Sequence, residues 1–494
     1  MEKRPDILLF MSDQHSAAQM HWAGGIAETP NLDALSAEGT SFTQAYTSCP
    51  LCVPARMSFL SGLLPSRTGV LTNNDTLADT TPTFLHALVS TGYETVLIGR
   101  MHFVGRDQLH GFTRHIGGDM TPVTWNRPVE RIAEERGIMR MGYAYFGALQ
   151  VMGAGESPVL HFDEHIIATA KDYLAQPHEK PQFILVGTYG PHFPYVAPGD
   201  LYFKYKDRIA ALGEAEQFNE QKDYIEKNIF LKSRQLGSSA EEALEARAAY
   251  CSLVEKMDSQ IGEIREAFRN YGKTSGRGQI FGYTSDHGDM NAVLGMYGKQ
   301  TFFDPSVRIP LLLSGEGIPQ GRKIGSPVSI MDIGPTLCEL AGTSFETADS
   351  FSLASLEEDT IAKRGAVHSQ VWEGLNPFQY PDDKRHSFGA MVIKDGYKFI
   401  SYDGFDEDIL FDVLNDPFER ENLNAVRKDV AEELRELSLK EAKAADIIAQ
   451  QAQRERNAAY FAAYERMTGE LEKLDDQWRW RGNPPTARDL PKEK

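Results

Sequence analysis

Residues 7–15, Ile7-Leu8-Leu9-Phe10-Met11-Ser12-Asp13-Gln14-His15, are apolar for five positions and then turn polar without a break. The same change recurs three times. Thr95–Ile98 ends at Gly99-Arg100-Met101-His102, and Phe183–Val186 leads into Gly187-Thr188-Tyr189-Gly190-Pro191-His192. Ile280–Tyr283 ends at Thr284-Ser285-Asp286-His287-Gly288-Asp289. Short continuous apolar runs suit strands buried on both faces, as in a largely parallel sheet. Between them, Phe84, Leu85 and Leu88, and later Ile261, Ile264 and Phe268, recur at helical spacing. Strands alternating with helices predict an α/β fold. Ligands in open α/β sheets gather at the carboxyl ends of strands. Four strands that each place Asp, His or Arg at that end therefore point to an active site.

Composition bounds the rest. The chain has 494 residues, 41% hydrophobic and 10% aromatic, enough for a large packed core. Its formal charge of −19 excludes the broad basic surface that nucleic-acid binding requires. No apolar run approaches the ~18 residues of a membrane span. Lys3 and Arg4 before Ile7–Met11 imitate a signal peptide, but the apolar stretch is too short for a secretory segment, which needs roughly 7–15 residues. Four cysteines, Cys49, Cys52, Cys251 and Cys338, fit a reducing compartment, so a cytoplasmic protein is expected.

A boundary is expected near residues 320–350, where Gly, Pro and Ser punctuate the chain. Met391–Ile393 and Tyr397–Ile400 flank Lys394-Asp395-Gly396, a hairpin signal. Val426, Val430, Leu434 and Leu437 read as an amphipathic helix. The expected organisation is a catalytic domain over 1–345, a smaller α+β subdomain with antiparallel strands and helix over 346–475, and an irregular tail over 476–494. The C-terminal helical segment could mediate assembly into a homo-oligomer.

The most specific stretch is Cys52-Val53-Pro54-Ala55-Arg56, followed by Leu60-Ser61-Gly62. Cys49 and Cys52 could form a redox pair, but no compact thioredoxin pattern surrounds them. They could form half a zinc site, but no second ligand pair accompanies them. The third reading is a resemblance. C-x-P-x-R with a following Leu-Ser-Gly is the signature of the formylglycine-dependent type I sulfatases of the alkaline-phosphatase superfamily. Met11–His15 resembles that family's first metal-binding strand end, and Ser285–Asp289 resembles its second metal motif. Gly99–Gly105 resembles its Gly-Lys-x-His region, and Lys299 falls where it has a sulfate-binding lysine. Asp416-Pro417 with Glu421-Asn422-Leu423 resembles its C-terminal marker. The run through Asp107–Phe112 is similar to choline sulfatases and phosphonate monoester hydrolases in particular.

The resemblance implies an alkaline-phosphatase-like fold: a large mixed, mostly parallel sheet sandwiched by helices, with the smaller C-terminal subdomain. It implies hydrolysis of an organic sulfate ester to alcohol and inorganic sulfate by a metal-bound formylglycine hydrate made from Cys52. A phosphonate or phosphate mono- or diester hydrolase using the same residues is the alternative, and an inactive binding protein is a third reading. Implied partners are a small-molecule or saccharide sulfate ester and a sulfatase-maturing enzyme, with neither nucleic acid nor membrane. One divalent cation is implied, held by Asp13, Gln14, Asp286, His287 and residue 52. Calcium is the first choice, with manganese or magnesium as alternatives for so oxygen-rich a site. Arg56 would orient residue 52. His102 would be the base that drives sulfate release. His192 and Lys299 would hold the substrate oxyanion, either one able to protonate the leaving oxygen. Asn73 is a candidate substrate contact, although Thr72-Asn73-Asn74-Asp75 also reads as a turn. Arg100 stands where the family has lysine, and arginine cannot exchange protons near neutral pH. The tail Trp478-Arg479-Trp480-Arg481 is unlike that of choline sulfatases.

Overall fold

A computed structural model describes residues 4–121, 147–212, 222–377, 379–405 and 407–480. Twelve strands carry the argument. In chain order they are β1 (Asp6–Asp13), β2 (Gly39–Phe42), β3 (Glu94–Gly99), β4 (Arg114–Ile116), β5 (Gln182–Pro191), β6 (Gln279–Ser285), β7 (Leu311–Gly315), β8 (Arg322–Ile324), β9 (Val367–Gly374), β10 (His386–Lys394), β11 (Tyr397–Tyr402) and β12 (Ile409–Asp412). The first eight form one sheet in the order β8-β2-β7-β6-β1-β5-β3-β4. Only β7 runs antiparallel to its neighbours. This is the mixed, mostly parallel sheet expected from the sequence.

The apolar run of β1 explains why it is central. Successive side chains of a strand point to opposite faces. Leu8 and Phe10 join one core with Ile184, Val186 and the helices α2 (Pro158–Leu174) and α3 (Ala240–Ser275). Ile7, Leu9 and Met11 join the other with Phe183, Leu185, Ile280 and the helix α1 (Cys52–Ser61). Both faces are covered, so an alternating pattern would have buried polar groups. α3 begins on a capping box, with the Ser239 hydroxyl accepting from Glu242 N–H and the Glu242 carboxylate accepting from Ser239 N–H.

The strands β9–β12 make a separate antiparallel sheet in chain order. One face packs Val371, Met391 and Ile400 against Phe302 and Phe303 of the main body. The other packs Val392, Phe399 and Leu410 under Leu434 of the helix α4 (Lys428–Glu441). Val426 lies outside that helix and is exposed. Lys398, buried completely, joins the sheet to the body through Asp304 and Glu419. The helix α5 (Ala444–Thr468) follows, and then α6 (Glu470–Trp478), which carries regular structure past residue 476. Arg481 lies outside the described residues. No helix among the described residues is long and apolar enough to cross a membrane.

Candidate active site

The four polar clusters lie on β6, β1, β5 and β3, which are adjacent in the sheet. Asp13 is the last residue of β1, Asp286 and His192 follow β6 and β5 directly, and Arg100 follows β3. Gly99, at φ +92°, lets the chain turn there; a Cβ would sit 2.4 Å from the Gly187 carbonyl oxygen. Gly288 permits a second close approach, since a Cβ would lie 2.0 Å from the Pro305 carbonyl oxygen. Gln14 and His102 hold left-handed backbone conformations at φ +70° and +55°. Such strain in non-glycine residues persists only where surrounding structure fixes it.

Cys52 is the first residue of α1, a helix whose ten residues are all buried. Asn73 reaches that N-terminus: its Oδ1 accepts from Val53 N–H at 3.0 Å. The structure thus uses Asn73 to cap the helix that begins at Cys52, the role open to a polar side chain at a helix start. Lys299 Nζ lies 2.9 Å from Cys52 Sγ, and His287 Nε2 lies 3.2 Å from it. Burial, reinforced by the Asp13 charge, pushes the Cys52 thiol up to about 11. All four cysteines are free and buried.

Arg56, fully buried, donates from Nε to Asp286 Oδ2 at 2.8 Å and from Nη2 to Asp13 Oδ2 at 3.2 Å. Arg100, also fully buried, donates from Nε to Asp13 Oδ2 at 2.8 Å. Burial by itself would raise the Asp13 carboxyl; Arg100, with His192, Lys299 and Arg56, holds it well below the usual carboxylate range. The other bonds of Arg100 run from Nη1 to Asp119 Oδ1 and Thr121 Oγ1, both at 3.0 Å, and from Nη2 to His102 Nδ1 at 2.8 Å. Its guanidinium lies 4.1 Å from the centroid of the Tyr189 ring.

Hydrogen-bond partners fix the histidine tautomers. Arginine can only donate, so His102 Nδ1 is an acceptor and the neutral ring carries its hydrogen on Nε2. Burial, and then the Arg100 charge, holds His102 well below the usual histidine range. His192 is the reverse case. Its Nδ1–H donates to the Phe193 carbonyl at 2.5 Å, leaving the Nε2 lone pair 2.9 Å from Lys299 Nζ. His287 Nδ1–H donates to the Gly288 carbonyl at 3.0 Å, leaving Nε2 beside Asp13 and Asp286. Burial is the largest cause that lowers both rings from the ordinary histidine value.

The donor set fits a divalent cation. One ligand atom each from Asp13, Cys52, Asp286 and His287 lies within 4.8 Å of the other three. Gln14 Oε1 is buried with no hydrogen-bond partner, an open acceptor next to Asp13 in the chain. A metal-bound histidine characteristically donates its second N–H to a carbonyl, as His287 does.

Sequence reasoning missed Asp119. Its Oδ2 accepts from His102 N–H at 2.8 Å, while Oδ1 holds Arg100. Its backbone pairs with the tail, accepting from Trp480 N–H at 2.8 Å and donating to the Trp478 carbonyl at 3.1 Å. Nothing in Gly117-Gly118-Asp119 signals this, because the contact joins residues some 360 positions apart. Asp289, the last residue of the Ser285–Asp289 motif, is a second such residue: its Oδ2 accepts from Gln14 Nε2 at 2.6 Å.

A fold and site of this kind, with Cys52, Lys299 and three histidines among paired Arg and Asp side chains at the strand ends, have the makings of a buried catalytic centre. Residues 5–343 match the family described as Sulfatase, and residues 293–445 match N-sulphoglucosamine sulphohydrolase, C-terminal. The chain belongs to the sulfatase family and is a sulfuric ester hydrolase. It is 31% identical over 438 residues to the choline-sulfatase of Rhizobium meliloti (strain 1021), covering 85% of this chain and 82% of that one. An uncharacterized sulfatase of Escherichia coli (strain K12) is 28% identical, with 85% and 83% covered. Among solved structures, the phosphonate monoester hydrolase of Agrobacterium radiobacter superposes with a TM-score of 0.69 at 21% identity, covering 91% of this chain and 96% of that one. It shares the fold.

Proposed function

We propose that the chain releases inorganic sulfate from a small organic or saccharide sulfate ester, using residue 52 after a maturing enzyme has oxidised its thiol to formylglycine. One divalent cation would be held by Asp13, Gln14, Asp286, His287 and residue 52. The observation that carries this reading is Cys52 at a buried helix start, within hydrogen-bonding reach of Lys299 and ringed by metal-compatible donors. When bound, the cation supplies Lewis-acid activation, and the modified residue supplies an oxygen nucleophile in place of sulfur.

The chain's own residues do the rest. Arg56 ties Asp13 to Asp286 and so sets the spacing of the two carboxylates. Lys299 and His192 form a donor–acceptor pair beside residue 52, placed to hold an oxyanion and to move a proton. His102 was expected to be the base. Its Nδ1 accepts from Arg100, just as Nε2 of His192 accepts from Lys299, so each ring turns its lone pair to a cationic donor. His102 stays the proposed base, with His192 and Lys299 as the pair that holds the oxyanion and protonates the leaving oxygen. A divalent cation together with Arg56, Arg100 and Lys299 would outweigh the Asp13, Asp119 and Asp286 carboxylates and make a local cationic site in an acidic body, which admits an anion that the net charge of −19 would repel. Calcium is the preferred cation because three of the protein donors are oxygens.

The test pairs chemistry with kinetics. Protein coexpressed with a maturing enzyme is given matched aryl sulfate and aryl phosphonate substrates, and the Cys52 peptide is weighed by mass spectrometry. Faster sulfate release, lost in Cys52→Ala, supports the reading. Fully active protein whose residue 52 is unmodified cysteine overturns it, and faster phosphonate cleavage selects the alternative.

A further inference from the structure

We infer that Asp289 is a positioning residue that locks the carboxamide of Gln14 with its oxygen toward the cation; this rests on the cation reading above. A glutamine amide has two ends of nearly equal shape, one a donor and one an acceptor. Only the oxygen can ligate a cation, so an unlocked amide would present the wrong end in part of the population. Gln14 Nε2 donates to Asp289 Oδ2 at 2.6 Å, while Oε1 is buried and has no hydrogen-bond partner. The backbone of Gln14 is fixed as well: its N–H donates to Asp286 Oδ1 at 3.1 Å, and its carbonyl accepts from Tyr250 O–H at 2.6 Å. The side chain therefore has one remaining choice, which end faces Asp289.

Asp289 makes that choice because its own surroundings are all donors. Oδ1 accepts from Asn291 N–H and Gly298 N–H, both at 2.8 Å. The Tyr195 hydroxyl lies 3.0 Å from Oδ1 and 2.8 Å from Oδ2. Two backbone donors pin Oδ1, so Oδ2 is left to Tyr195 and Gln14. Asp289 is 1% exposed, so bulk solvent does not compete for that position. The same Asp289 that orients Gln14 also anchors Gly298, the neighbour of Lys299, so one carboxylate couples a cation ligand to the oxyanion-binding lysine.

Asp289→Asn reverses the lock with little change of shape. The two backbone N–H groups claim the oxygen of the new carboxamide, which leaves its NH2 facing Gln14. Gln14 then flips to offer its oxygen to that NH2, and its own NH2 faces the cation. Adding Gln14→Glu restores the match, since one Glu oxygen accepts from the new NH2 and the other faces the cation, at unchanged total charge.

The experiment titrates Ca2+ and Mn2+ by calorimetry into chelator-stripped, full-length wild type, D289N and the double variant Q14E/D289N. Melting curves confirm that each is folded. The expected result is a roughly 10- to 100-fold weaker affinity in D289N, the usual cost of losing a residue that orients a metal ligand. The double variant recovers most of that loss. Q14E alone is titrated beside them: a fold defect caused by Asp289→Asn would cost the same factor in the wild-type and Gln14→Glu backgrounds, so a smaller or reversed cost in the Gln14→Glu background separates orientation both from damage and from the added carboxylate. D289N binding as tightly as wild type, or a double variant no tighter than D289N, overturns the lock. Wild type that takes up neither cation overturns the cation reading itself and the lock with it.

Discussion

Arg100→Lys returns to position 100 the residue expected from the family resemblance, and the structure predicts that it damages the protein. Arg100 is fully buried and spans four acceptors: Asp13 Oδ2, Asp119 Oδ1, Thr121 Oγ1 and His102 Nδ1. A lysine has one nitrogen and cannot span both sides of the guanidinium fork. Asp13 Oδ2 would keep Arg56, and Asp119 Oδ1 would keep Thr121 N–H and Oγ1. His102 Nδ1 has Arg100 as its one donor among the described residues, so it is the acceptor that is orphaned. An orphaned buried acceptor costs about 1–3 kcal/mol, and losing the stack on Tyr189 adds about 1 kcal/mol. The expected loss is therefore about 2–4 kcal/mol, measured by urea unfolding followed through tryptophan fluorescence. Sulfate release should also fall, by about tenfold, because Asp119 and His102 lose the group that holds them in register. A variant within about 1 kcal/mol of wild type and equally active would refute this account, since it would show that a point charge suffices where the geometry demands a fork.

Three further outcomes follow from other contacts. Trp480→Pro removes the N–H that donates to Asp119 and should cut sulfate release several-fold at nearly unchanged melting temperature, whereas Trp480→Ala, which keeps that N–H, should retain more activity. Lys398→Met strips the lysine from the buried Asp304 and Glu419 carboxylates and should destabilise the chain by about 3–5 kcal/mol; a loss under about 1 kcal/mol would mean that this cluster does not hold the C-terminal sheet to the body. Despite burial, which acts the other way, Arg100 depresses the carboxyls of both Asp13 and Asp119 below their unfolded values. Their stabilising contribution is thus present above about pH 4 and is lost as the pH falls below it, so the urea midpoint should drop on the acid side, less so in Asp119→Asn.

Much of the site was legible in the sequence because its residues come from strand ends. A buried strand announces itself by an apolar run, and the residue at its carboxyl end follows by position alone. That is how Asp13, Arg100, His192 and Asp286 could be named from sequence, and they do converge. Cys52 and Arg56 were legible for a different reason, a spacing that matches a known signature. Other contacts were not legible. Asn73 looked like a turn or a substrate contact, and it caps the helix that bears Cys52. His102 was named from its motif, and only the structure shows that its Nδ1 accepts from Arg100.

The sequence by itself determined the sheet, its strand-end chemistry and the family. Hydrophobic period and short motifs are local, and each is written within about ten residues. Tertiary structure alone decided which ring nitrogen of His102, His192 and His287 carries the proton, which end of Gln14 faces Asp289, and that Asp119 joins Arg100 and His102 to the C-terminal tail. Those facts depend on hydrogen-bond partners brought together from positions far apart in the chain. Direction in a hydrogen bond belongs to the pair, and no single residue carries it in its name.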